Sequence, residues 1–424
     1  MPHAPYESRN QKLRVVVLGL NYAPETTGIA PYTTGFARHL AAEDHDVTVV
    51  AGHPHYPEWE LHPGYEQPRA PEEDQGVQLL RVPHPVPRNP SGLSRIWMEM
   101  VFATRAARHL VRQRPDVVVV VSPALLALVP AVLMRRVLCY RLGAWVQDLY
   151  GAALAETGIG GGLVARATTR LELALLRRVD GVVVIHDVFR RSLLASGFPE
   201  SRIEVVPNWA HVTMPKTWDR AATRGRLGWL DTEFIALHAG NMGAKQGLEG
   251  LVDVARLAEK LSSAVRIVLM GNGSRRDALA AYANGCTSLS IADPLPPGEF
   301  EAALLAADCL LLHEKPGVVE MSVPSKLTTY FTAGRPVIAA TDARSGAAAL
   351  MTAADAGLVV PAGDATALLS AIESLADDPQ AAEALGENGE RYAAEHLTGG
   401  ASLRRKTAWL RRLVHPRSGA LEHA

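Results

Sequence analysis

Cysteine is scarce in this sequence, and its three cysteines, Cys139, Cys286 and Cys309, lie far apart along 424 residues. No pair has the close spacing of zinc ligands, which excludes a zinc-type cysteine cluster. Isolated thiols of this kind are typical of buried side chains in a reducing compartment. Net charge is also nearly absent, because 43 basic residues against 44 acidic ones leave −1. No overall field therefore attracts nucleic acid, and we expect no nucleic-acid partner.

Uninterrupted apolar segments are lacking as well. The N-terminal segment MPHAPYESRNQKLRVVVLGL has no charged-then-apolar signal pattern. The stretch nearest to a membrane span, 117–134 (VVVVVSPALLALVPAVLM), is interrupted by Ser122, Pro123 and Pro130. These interruptions predict a buried strand followed by a helix rather than a span. We therefore expect a cytoplasmic protein.

What the sequence does contain is an alternation of short β-branched runs with longer helical patterns. This alternation is typical of parallel sheets that are covered by helices on both faces. Strands are predicted at 14–20, 46–51, 77–82, 116–121, 141–147, 181–185, 203–206, 234–239, 266–270, 288–291, 309–313, 336–340 and 357–360. Helices are predicted at 28–41, 93–112, 163–178, 247–260, 275–283, 297–306, 325–333 and 365–376.

The alternation breaks at 206–229, where VPNWAHVTMPKTWDRAATRGRLGW is proline-bearing and lacks a strand period. We interpret this segment as an irregular interdomain linker. The domains predicted are a Rossmann-like domain over 1–210, a second over 211–398 and a C-terminal segment over 399–424. The fold class is thus α/β, with two doubly wound domains facing each other across a cleft. Ligands of such sheets bind at the carboxyl ends of the strands, so the loops there are the candidates for function.

In the first domain, the opening strand leads into LGLNYAPETTGIAPYTTGFARHL. Gly19 and Gly28 bracket a loop that feeds a helix, whose free N–H groups can hold an anion or a sugar hydroxyl. Glycines that serve only a tight turn are the alternative. The dinucleotide fingerprint G-x-G-x-x-G is absent from this turn, which disfavours a nicotinamide-dependent oxidoreductase.

Two further features follow strands of the first domain. Asp148 comes directly after a buried strand and either binds sugar or acceptor hydroxyls or caps the next helix. The loop HPHYPEW, with His55 and Tyr56 at its centre, either contacts an acceptor or is a plain aromatic surface loop. The sequence does not decide between the two roles given for Asp148 or between the two given for the loop.

The second domain opens with FIALHAGNMGAKQGLEGL, in which a strand, a glycine-rich turn and an amphipathic helix follow in order. That order suits a phosphate-facing turn, in which Asn241, Lys245 and Gln246 are the polar residues. After the next strand, Gly271 and Gly273 permit close backbone approach by a flat base or ribose.

The segment VPSKLTTYFTAGRPVIA places Ser325 at a helix start and Lys326 in the first helical turn. A cation there opposes the helix dipole and lowers stability unless an anion is shared between the two. A diphosphate that contacts both Lys326 and the helix N-terminus removes this conflict. The placement of Lys326 therefore predicts a phosphate site.

Four segments together resemble a known family: NYAPETTGIAPYT, QDLYGAALAETG, HAGNMGAKQGLEGL and VPSKLTTYFTAGRPVIA. The chain is similar, over nearly its whole length, to the retaining glycosyltransferases of family 4, which have the GT-B fold. Within that family it resembles the bacterial exopolysaccharide (colanic-acid-type) transferases. The resemblance implies transfer of a sugar from a UDP- or GDP-sugar to an acceptor hydroxyl with retention, in polysaccharide or glycoconjugate biosynthesis.

The resemblance also implies roles for individual residues. Gly28 would face the donor diphosphate, Asp148 would line the acceptor side, and a helix near 401–413 would cross back onto the first domain. The other donor-side residues would hold the diphosphate or lie near the nucleoside: Asn241, Lys245, Gln246, Ser325, Lys326, Gly271 and Gly273.

Two places depart from the family pattern. Many members carry Arg and Lys in the second-domain glycine turn, where this chain has Asn241 and Gln246. Many also carry two glutamates at positions that match Met321 and Thr329, and Glu320 is adjacent to the first. Glu320 and Thr329 therefore join the candidate donor-binding residues, and Lys326 carries most of the phosphate argument.

A nucleotide-sugar already has a good leaving group, so the protein must chiefly stabilise charge on the diphosphate. Lys326 and Asp148 are the catalytic candidates, and neither a metal nor a cofactor is expected. Asp44 and Asp46 match a D-x-D pattern but precede a strand, at the wrong end for a ligand. Two alternatives stay open, a nucleotide-sugar 2-epimerase of the same fold and a non-catalytic nucleotide-sugar-binding protein.

The stretch SGLSRIWMEMVFATRAARHLVRQRP combines apolar and basic residues: Ile96, Trp97, Met100, Val101, Phe102, Arg95, Arg105, Arg108 and Arg112. A basic helix with exposed aromatic side chains can lie on an anionic membrane. The same pattern also fits a helix that packs its apolar face on the sheet. A lipid-linked acceptor, as opposed to a free glycan, favours the first reading and a position at the inner face of the plasma membrane.

Overall fold

A computed structural model describes residues 12–26, 28–88, 92–122, 124–149, 161–210, 212–317 and 325–415, without the side chains of 92–93, 161–165 and 325. The chain forms two α/β units in succession, each built on a twisted and mainly parallel sheet. The predicted fold class is confirmed.

The first unit contains an eight-stranded sheet with the order β3-β4-β2-β1-β5-β6-β7-β8. All of its neighbouring strands are parallel except β3, which pairs antiparallel with β4. Its strands are β1 (Arg14–Gly19), β2 (Asp46–Gly52), β3 (Glu72–Asp74), β4 (Val77–Val82), β5 (Val117–Val121), β6 (Arg141–Val146), β7 (Gly181–Val184) and β8 (Ile203–Val205).

The second unit contains a six-stranded parallel sheet with the order β11-β10-β9-β12-β13-β14. Its strands are β9 (Phe234–Ala239), β10 (Val265–Met270), β11 (Leu289–Ala292), β12 (Cys309–His313), β13 (Val337–Ala340) and β14 (Gly357–Val360).

Helices follow most of the strands and cover the sheets. Those that the structure describes are α1 (Ala30–Ala42), α2 (Gly92–Gln113), α3 (Leu128–Leu138), α4 (Gly161–Leu176), α5 (Asp187–Ala195), α6 (Arg220–Leu227), α7 (Glu249–Lys260), α8 (Arg276–Tyr282), α9 (Glu299–Ala306), α10 (Ser325–Thr332), α11 (Gly346–Ala354), α12 (Ala365–Asp377), α13 (Pro379–His396) and α14 (Gly399–Val414).

The strand orders locate the crevices of the two sheets. In the first sheet the chain moves outward from β1 to β2 and β4, then returns to the other side of β1 with β5. In the second sheet it moves from β9 to β10 and β11, then returns beside β9 with β12. At such switch points the loops after neighbouring strands diverge and leave a crevice for a ligand. The loops after β1 and β9 are therefore the structural candidates for a site.

The apolar stretch at 117–134 is built into the first core. Every residue of β5 is buried, as expected of a parallel strand that is covered on both faces. A 3-10 turn and α3 follow, so the predicted strand-then-helix arrangement is confirmed. Among the described residues, no helix combines the length and apolarity that crossing a membrane requires.

The last helix, α14, packs on the sheet of the first unit. Its Trp409 and Leu413 lie against glycines of β6 and β7, where a Cβ on Gly143 would be 2.5 Å from the Trp409 ring and one on Gly181 would be 2.7 Å from Leu413. Side chains larger than hydrogen at these two strand positions would push the helix away. The chain thus leaves the first unit at β8, builds the second, and returns to the first.

The interpretation of 206–229 as wholly irregular is wrong, because α6 occupies its last third. Asp219 caps this helix by accepting a hydrogen bond from the Ala222 N–H at 3.0 Å, and Gly228 ends it in the left-handed conformation. The cap signal is present in the sequence but follows two prolines, Pro207 and Pro215, in the same stretch. Inside α6, Arg224 is buried and forms an ion pair with Asp308.

We predict that Arg224→Met lowers the free energy of unfolding of the second unit by about 3–5 kcal/mol, because the half-buried Asp308 carboxylate keeps only Arg220 as a cation and the Ala306 carbonyl loses the buried donor of Arg224. Equilibrium urea denaturation measures this loss. Arg226→Met on the same helix is the matched control, since the Arg226 side chain is 57% exposed and lies 3.6 Å from Glu299. Such a surface pair contributes less than about 1 kcal/mol. Equal losses in the two variants would contradict the anchoring role of Arg224.

Candidate active site

Two glycine-rich turns of the second unit pack directly on each other. A Cβ on Gly271 would lie 2.0 Å from the Gly240 carbonyl oxygen, and one on Gly273 would lie 2.5 Å from Asn241 Oδ1. The Met242 N–H donates to the Asn272 carbonyl at 2.8 Å and ties the turns together. The close approach that Gly271 and Gly273 permit is therefore made, in this structure, with the neighbouring turn. These glycines shape the rim of the crevice through that turn.

The turn from Asn241 to Gly247 is braced by its own side chains. Gln246 Oε1 accepts the Gly243 N–H at 3.0 Å, and the Gln246 carbonyl accepts from His313 Nδ1 at 2.7 Å. The Lys245 carbonyl accepts the Lys315 N–H at 2.9 Å, while its side chain is half-buried at the rim. The structure thus gives Gln246 a bracing role, which leaves Lys245 as the charged residue of this turn.

Lys326, in the first turn of α10, reaches across to this turn. Its Nζ lies 2.8 Å from His238 Nε2 and donates to the Asn241 carbonyl oxygen at 3.3 Å. Its stem crosses Gly240, where a Cβ would be 2.8 Å from Lys326 Cε. The loop after β9 and the start of α10 therefore meet at the amine of this lysine.

Desolvation controls the charge of this amine. Burial lowers the pKa of Lys326 to about 7, against a smaller opposing effect of the Glu314 carboxylate. The side chain is nevertheless half-buried rather than enclosed. An anion that arrives in the crevice can restore the full charge of the lysine, because an opposite charge nearby favours the protonated form.

The rest of α10 joins the two units. The Tyr32 side chain of α1 hydrogen-bonds to Thr328, so the first helix of one unit touches the helix that carries Lys326 in the other. Thr329 is buried in the second turn of α10. Glu320 and the side chain of Ser325 lie outside the described residues.

On the side of the first unit, a buried carboxylate organises the loop after β1. Glu25 Oε1 accepts the backbone N–H groups of His55 and Tyr56 at 2.8 and 2.9 Å, and its Oε2 accepts from Asn21 Nδ2 at 2.9 Å. Gly28, at φ +65°, lies under the Tyr56 ring, and a Cβ there would be 2.9 Å from Tyr56 Cε1. The loop after β1 and the loop after β2 are therefore held as one surface.

His55 and Tyr56 take different positions within that surface. The His55 ring is buried, with its Nδ1 2.9 Å from the His53 carbonyl oxygen, and it packs edge-on against His84. Burial lowers the pKa of His55. The structure therefore gives His55 a packing role, whereas the half-buried Tyr56 packs on Gly28, and the Asp148 carboxylate adds to the rise that burial produces in the pKa of Tyr56.

Asp148 lies just beyond the end of β6. Ser122 fixes its backbone, because the serine hydroxyl accepts the Gln147 N–H at 2.9 Å and donates to the Asp148 carbonyl at 3.2 Å. Burial raises the pKa of the Asp148 carboxyl, and the charges of Lys245 and Arg95 oppose that rise. Lys245 of the second unit thus acts electrostatically on a carboxyl of the first unit, which makes Asp148 and Lys245 candidates for one composite site.

The structure brings together most of the predicted residues at two facing rims. In the second unit, Lys326 contacts the turn that carries Asn241 and Lys245. In the first unit, Gly28 packs on Tyr56, and Asp148 acts electrostatically on Tyr56 and is itself acted on by Lys245. Sequence reasoning missed Glu25, His238 and Gly240, which contact Tyr56 or Lys326. Among the described residues, no cluster of three or more His, Cys, Asp or Glu side chains is arranged to hold a metal ion.

Family models match both halves of this arrangement. The Glycosyl transferase 4-like domain matches residues 27–209, and Glycosyl transferases group 1 matches residues 219–392. The chain is 30% identical over 333 residues to the protein of Escherichia coli (strain K12) named as the colanic acid biosynthesis glycosyl transferase WcaI. That alignment covers 76% of this chain and 82% of the relative. The chain belongs to the family 4 glycosyltransferases of GT-B fold.

Solved structures share this architecture. Sucrose-phosphate synthase from Thermosynechococcus elongatus has a TM-score of 0.74 at 18% identity, covering 94% of this chain and 98% of that one. HepE of Anabaena, in complex with UDP and glucose, has a TM-score of 0.69 at 14% identity, covering 94% and 99%. At such low identities these likenesses establish the GT-B fold alone.

We predict that Glu25→Ala accelerates amide hydrogen exchange at His55 and Tyr56 by at least about tenfold, because both N–H groups lose their buried acceptor. Exchange followed by NMR or mass spectrometry of the 52–58 segment tests this. Glu25→Gln is the control, since its amide oxygen can still accept both bonds and should retain most of the protection. Unchanged exchange in the alanine variant would mean that the loop holds its shape without Glu25.

Proposed function

We propose that this glycosyltransferase moves a sugar from a nucleoside-diphosphate sugar to an acceptor hydroxyl with retention of configuration, in polysaccharide biosynthesis. The observation that carries the proposal is the position of the Lys326 amine, which lies between the glycine turn after β9 and the first turn of α10. A diphosphate there would be bound by the lysine and by the free N–H groups of the helix start. It would also remove the conflict between the lysine and the helix dipole.

Cleavage of the donor leaves negative charge on the diphosphate, so binding that charge is the main catalytic task. Lys326 supplies a cation that becomes fully charged when an anion is near, and Lys245 supplies a second one on the same rim. We assign Asp148 and Tyr56 to the acceptor, whose hydroxyl a carboxylate can orient. Retention is inferred from family membership, and the leaving phosphate would help to remove the proton of the acceptor hydroxyl.

The named relatives support the donor and the pathway class. HepE of Anabaena was solved with UDP and glucose, and the relative from Escherichia coli is named for colanic acid biosynthesis. Both are consistent with a nucleoside-diphosphate donor and a polysaccharide product. The crevice has neither a nicotinamide fingerprint nor, among the described residues, a metal-type cluster that would suggest another chemistry.

We predict that Lys326→Met weakens binding of UDP or GDP by about 10- to 100-fold, because a charge-assisted hydrogen bond contributes about 1.5–3 kcal/mol. Turnover of the matching nucleotide-sugar should fall by at least as much. Isothermal titration calorimetry with each nucleotide measures the affinity. Lys260→Met, at the far end of α7, is the control and should bind normally. Normal nucleotide affinity in the Lys326 variant would remove the donor assignment.

One face of the first unit is suited to an anionic membrane. The helices α2, α3 and α4 lie side by side, and their exposed apolar residues are Ile96, Trp97, Met100, Val111, Leu133, Val137 and Leu171. Their exposed basic residues are Arg105, Arg108, Arg112, Arg136, Arg166 and Arg170. The acidic residues of these three helices, Glu99 and Glu172, are both buried.

The burial of the α2 side chains also shows how this helix packs. Met98, Phe102 and Leu110 are buried against the sheet, while Trp97 is 58% exposed, so the helix is apolar on both sides. Near its start, Arg95 lies 5.9 Å from the Trp59 ring of the acceptor-side loop. A helix on the membrane surface would thus present the acceptor rim to a lipid-linked glycan, which we propose as the acceptor.

We predict that Arg108→Glu with Arg112→Glu reduces binding to phosphatidylglycerol vesicles at least about tenfold, since each surface arginine contributes about 1 kcal/mol. Co-sedimentation with these vesicles, and with phosphatidylcholine vesicles for comparison, measures the effect. Arg391→Glu with Arg404→Glu makes the same change in net charge outside this face and should bind like the unaltered protein. A similar loss in both double variants would show that net charge alone governs binding.

A further inference from the structure

A buried histidine lies behind the proposed phosphate-binding lysine. His238 is the fifth residue of β9 and is fully buried. Its Nδ1 lies 3.0 Å from the Leu311 carbonyl oxygen, which can only accept, so Nδ1 carries the proton. Burial and the charge of Lys326 hold the pKa of His238 well below its usual value, and the ring is neutral. The Nε2 atom is therefore a lone-pair acceptor that points at the Lys326 amine, 2.8 Å away.

Two further contacts leave the lysine little freedom. Its stem crosses Gly240, where any Cβ would meet Lys326 Cε at 2.8 Å. One helical turn later, the Tyr330 hydroxyl accepts the Ala239 N–H at 2.9 Å and donates to the Ala239 carbonyl at 3.1 Å. The helix that carries Lys326 is thus tied to the strand that carries His238. The relative position of amine and imidazole follows from backbone contacts, and a long flexible side chain is held in one geometry.

We propose that His238 is a positioning residue, whose Nε2 holds the Lys326 amine at the crevice where a diphosphate would bind. This inference rests on the proposed nucleotide-sugar donor and adds a residue and a proton to its binding step. The histidine itself does not touch the donor. Its function is to fix the amine in place before the anion arrives.

The direction in which nucleotide affinity changes with pH depends on the groups around the Lys326 amine. Besides His238, the titratable groups that act on the pair are Glu314 and His313 at the end of β12. With a pKa of about 7, Lys326 is mostly neutral at pH 8 and mostly charged at pH 6. A bound diphosphate favours the charged form, so binding at pH 8 consumes up to one proton. Nucleotide affinity should then fall as the pH rises above 7, by at most tenfold per pH unit.

The test uses the full chain with UDP and GDP as probes. Calorimetric titration at pH 8 in two buffers of different ionisation enthalpy gives the number of protons taken up. We expect a value approaching one for the unaltered protein and close to zero for Lys326→Met. The unaltered protein by itself therefore tests the linkage, whatever the variants do.

A matched pair of variants tests the histidine. His238→Phe fills the space but offers no acceptor, and we expect about tenfold weaker binding at pH 7 and a pH midpoint shifted downward, because the lost acceptor had favoured the ammonium. His238→Gln places an amide oxygen near the position of Nε2 and should restore affinity to within about threefold. Thermal unfolding of both variants checks that they fold.

The outcomes separate this inference from the proposed function. Failure of the unaltered protein to bind either nucleotide would overturn both. Nucleotide binding without proton uptake, or equal affinities and pH midpoints for the Phe and Gln variants and the unaltered protein, would overturn the role of His238 while leaving the donor in place. Weaker binding and a lower pH midpoint in His238→Phe, both restored towards the unaltered values in His238→Gln, support it.

Discussion

The docking of α10 on the end of β9 is the constraint on which the site depends. Tyr330 and Lys326 lie four residues apart, so they share one face of the helix, and both contact β9 or the turn that follows it. The two hydrogen bonds between Tyr330 and the Ala239 backbone fix the end of β9. They therefore restrict the conformations open to the turn that follows. Gly240 makes room for the lysine stem, and the turn then packs on Gly271 and Gly273. The amine for which we propose phosphate binding is thereby placed by the contacts of α10 with β9 and its turn rather than by the preferences of its own side chain.

Much of the fold could be predicted from sequence because its signals are local. Runs such as Val117–Val121 are apolar at every position, which marks a strand that is buried on both faces. The helix α6 was missed because its cap residues, Asp219 and Gly228, stand in a proline-bearing stretch and its inner face is secured by a buried arginine. The edge strand β3 consists of Glu72, Glu73 and Asp74, which have low strand propensity. It exists because it pairs with β4.

The residues of the candidate site also fall into two groups, those with a local sequence signal and those without one. The place of Lys326 in the first turn of a helix, where it opposes the helix dipole, could be predicted because the signal lies within a few residues; its phosphate role stays a prediction. His238 and Glu25 could not, since a histidine inside an apolar strand looks like a core residue and a glutamate in a loop looks like a surface one. Their roles depend on partners such as Lys326 and Tyr56, which lie far away along the chain. Gly271 was predicted for the right property, close approach, but the neighbour it meets is another turn.

The two rims become one site only because the chain crosses between the units and returns. On the return, Lys406 of α14 is buried between the rings of Trp145 and Trp209, at 4.5 and 4.8 Å from their centroids. Trp145 belongs to β6, which leads to Asp148, and Trp209 follows the last strand of the first unit. The helix therefore ties the strand that leads to Asp148 to the segment that leads into the second unit. Burial raises the pKa of Asp148 and the charge of Lys245 in the other unit opposes that rise, so the protonation of this carboxyl depends on how closely the units approach. Neither unit alone carries both the carboxylate and the two lysines, so separating them would leave each half without the charge that it faces.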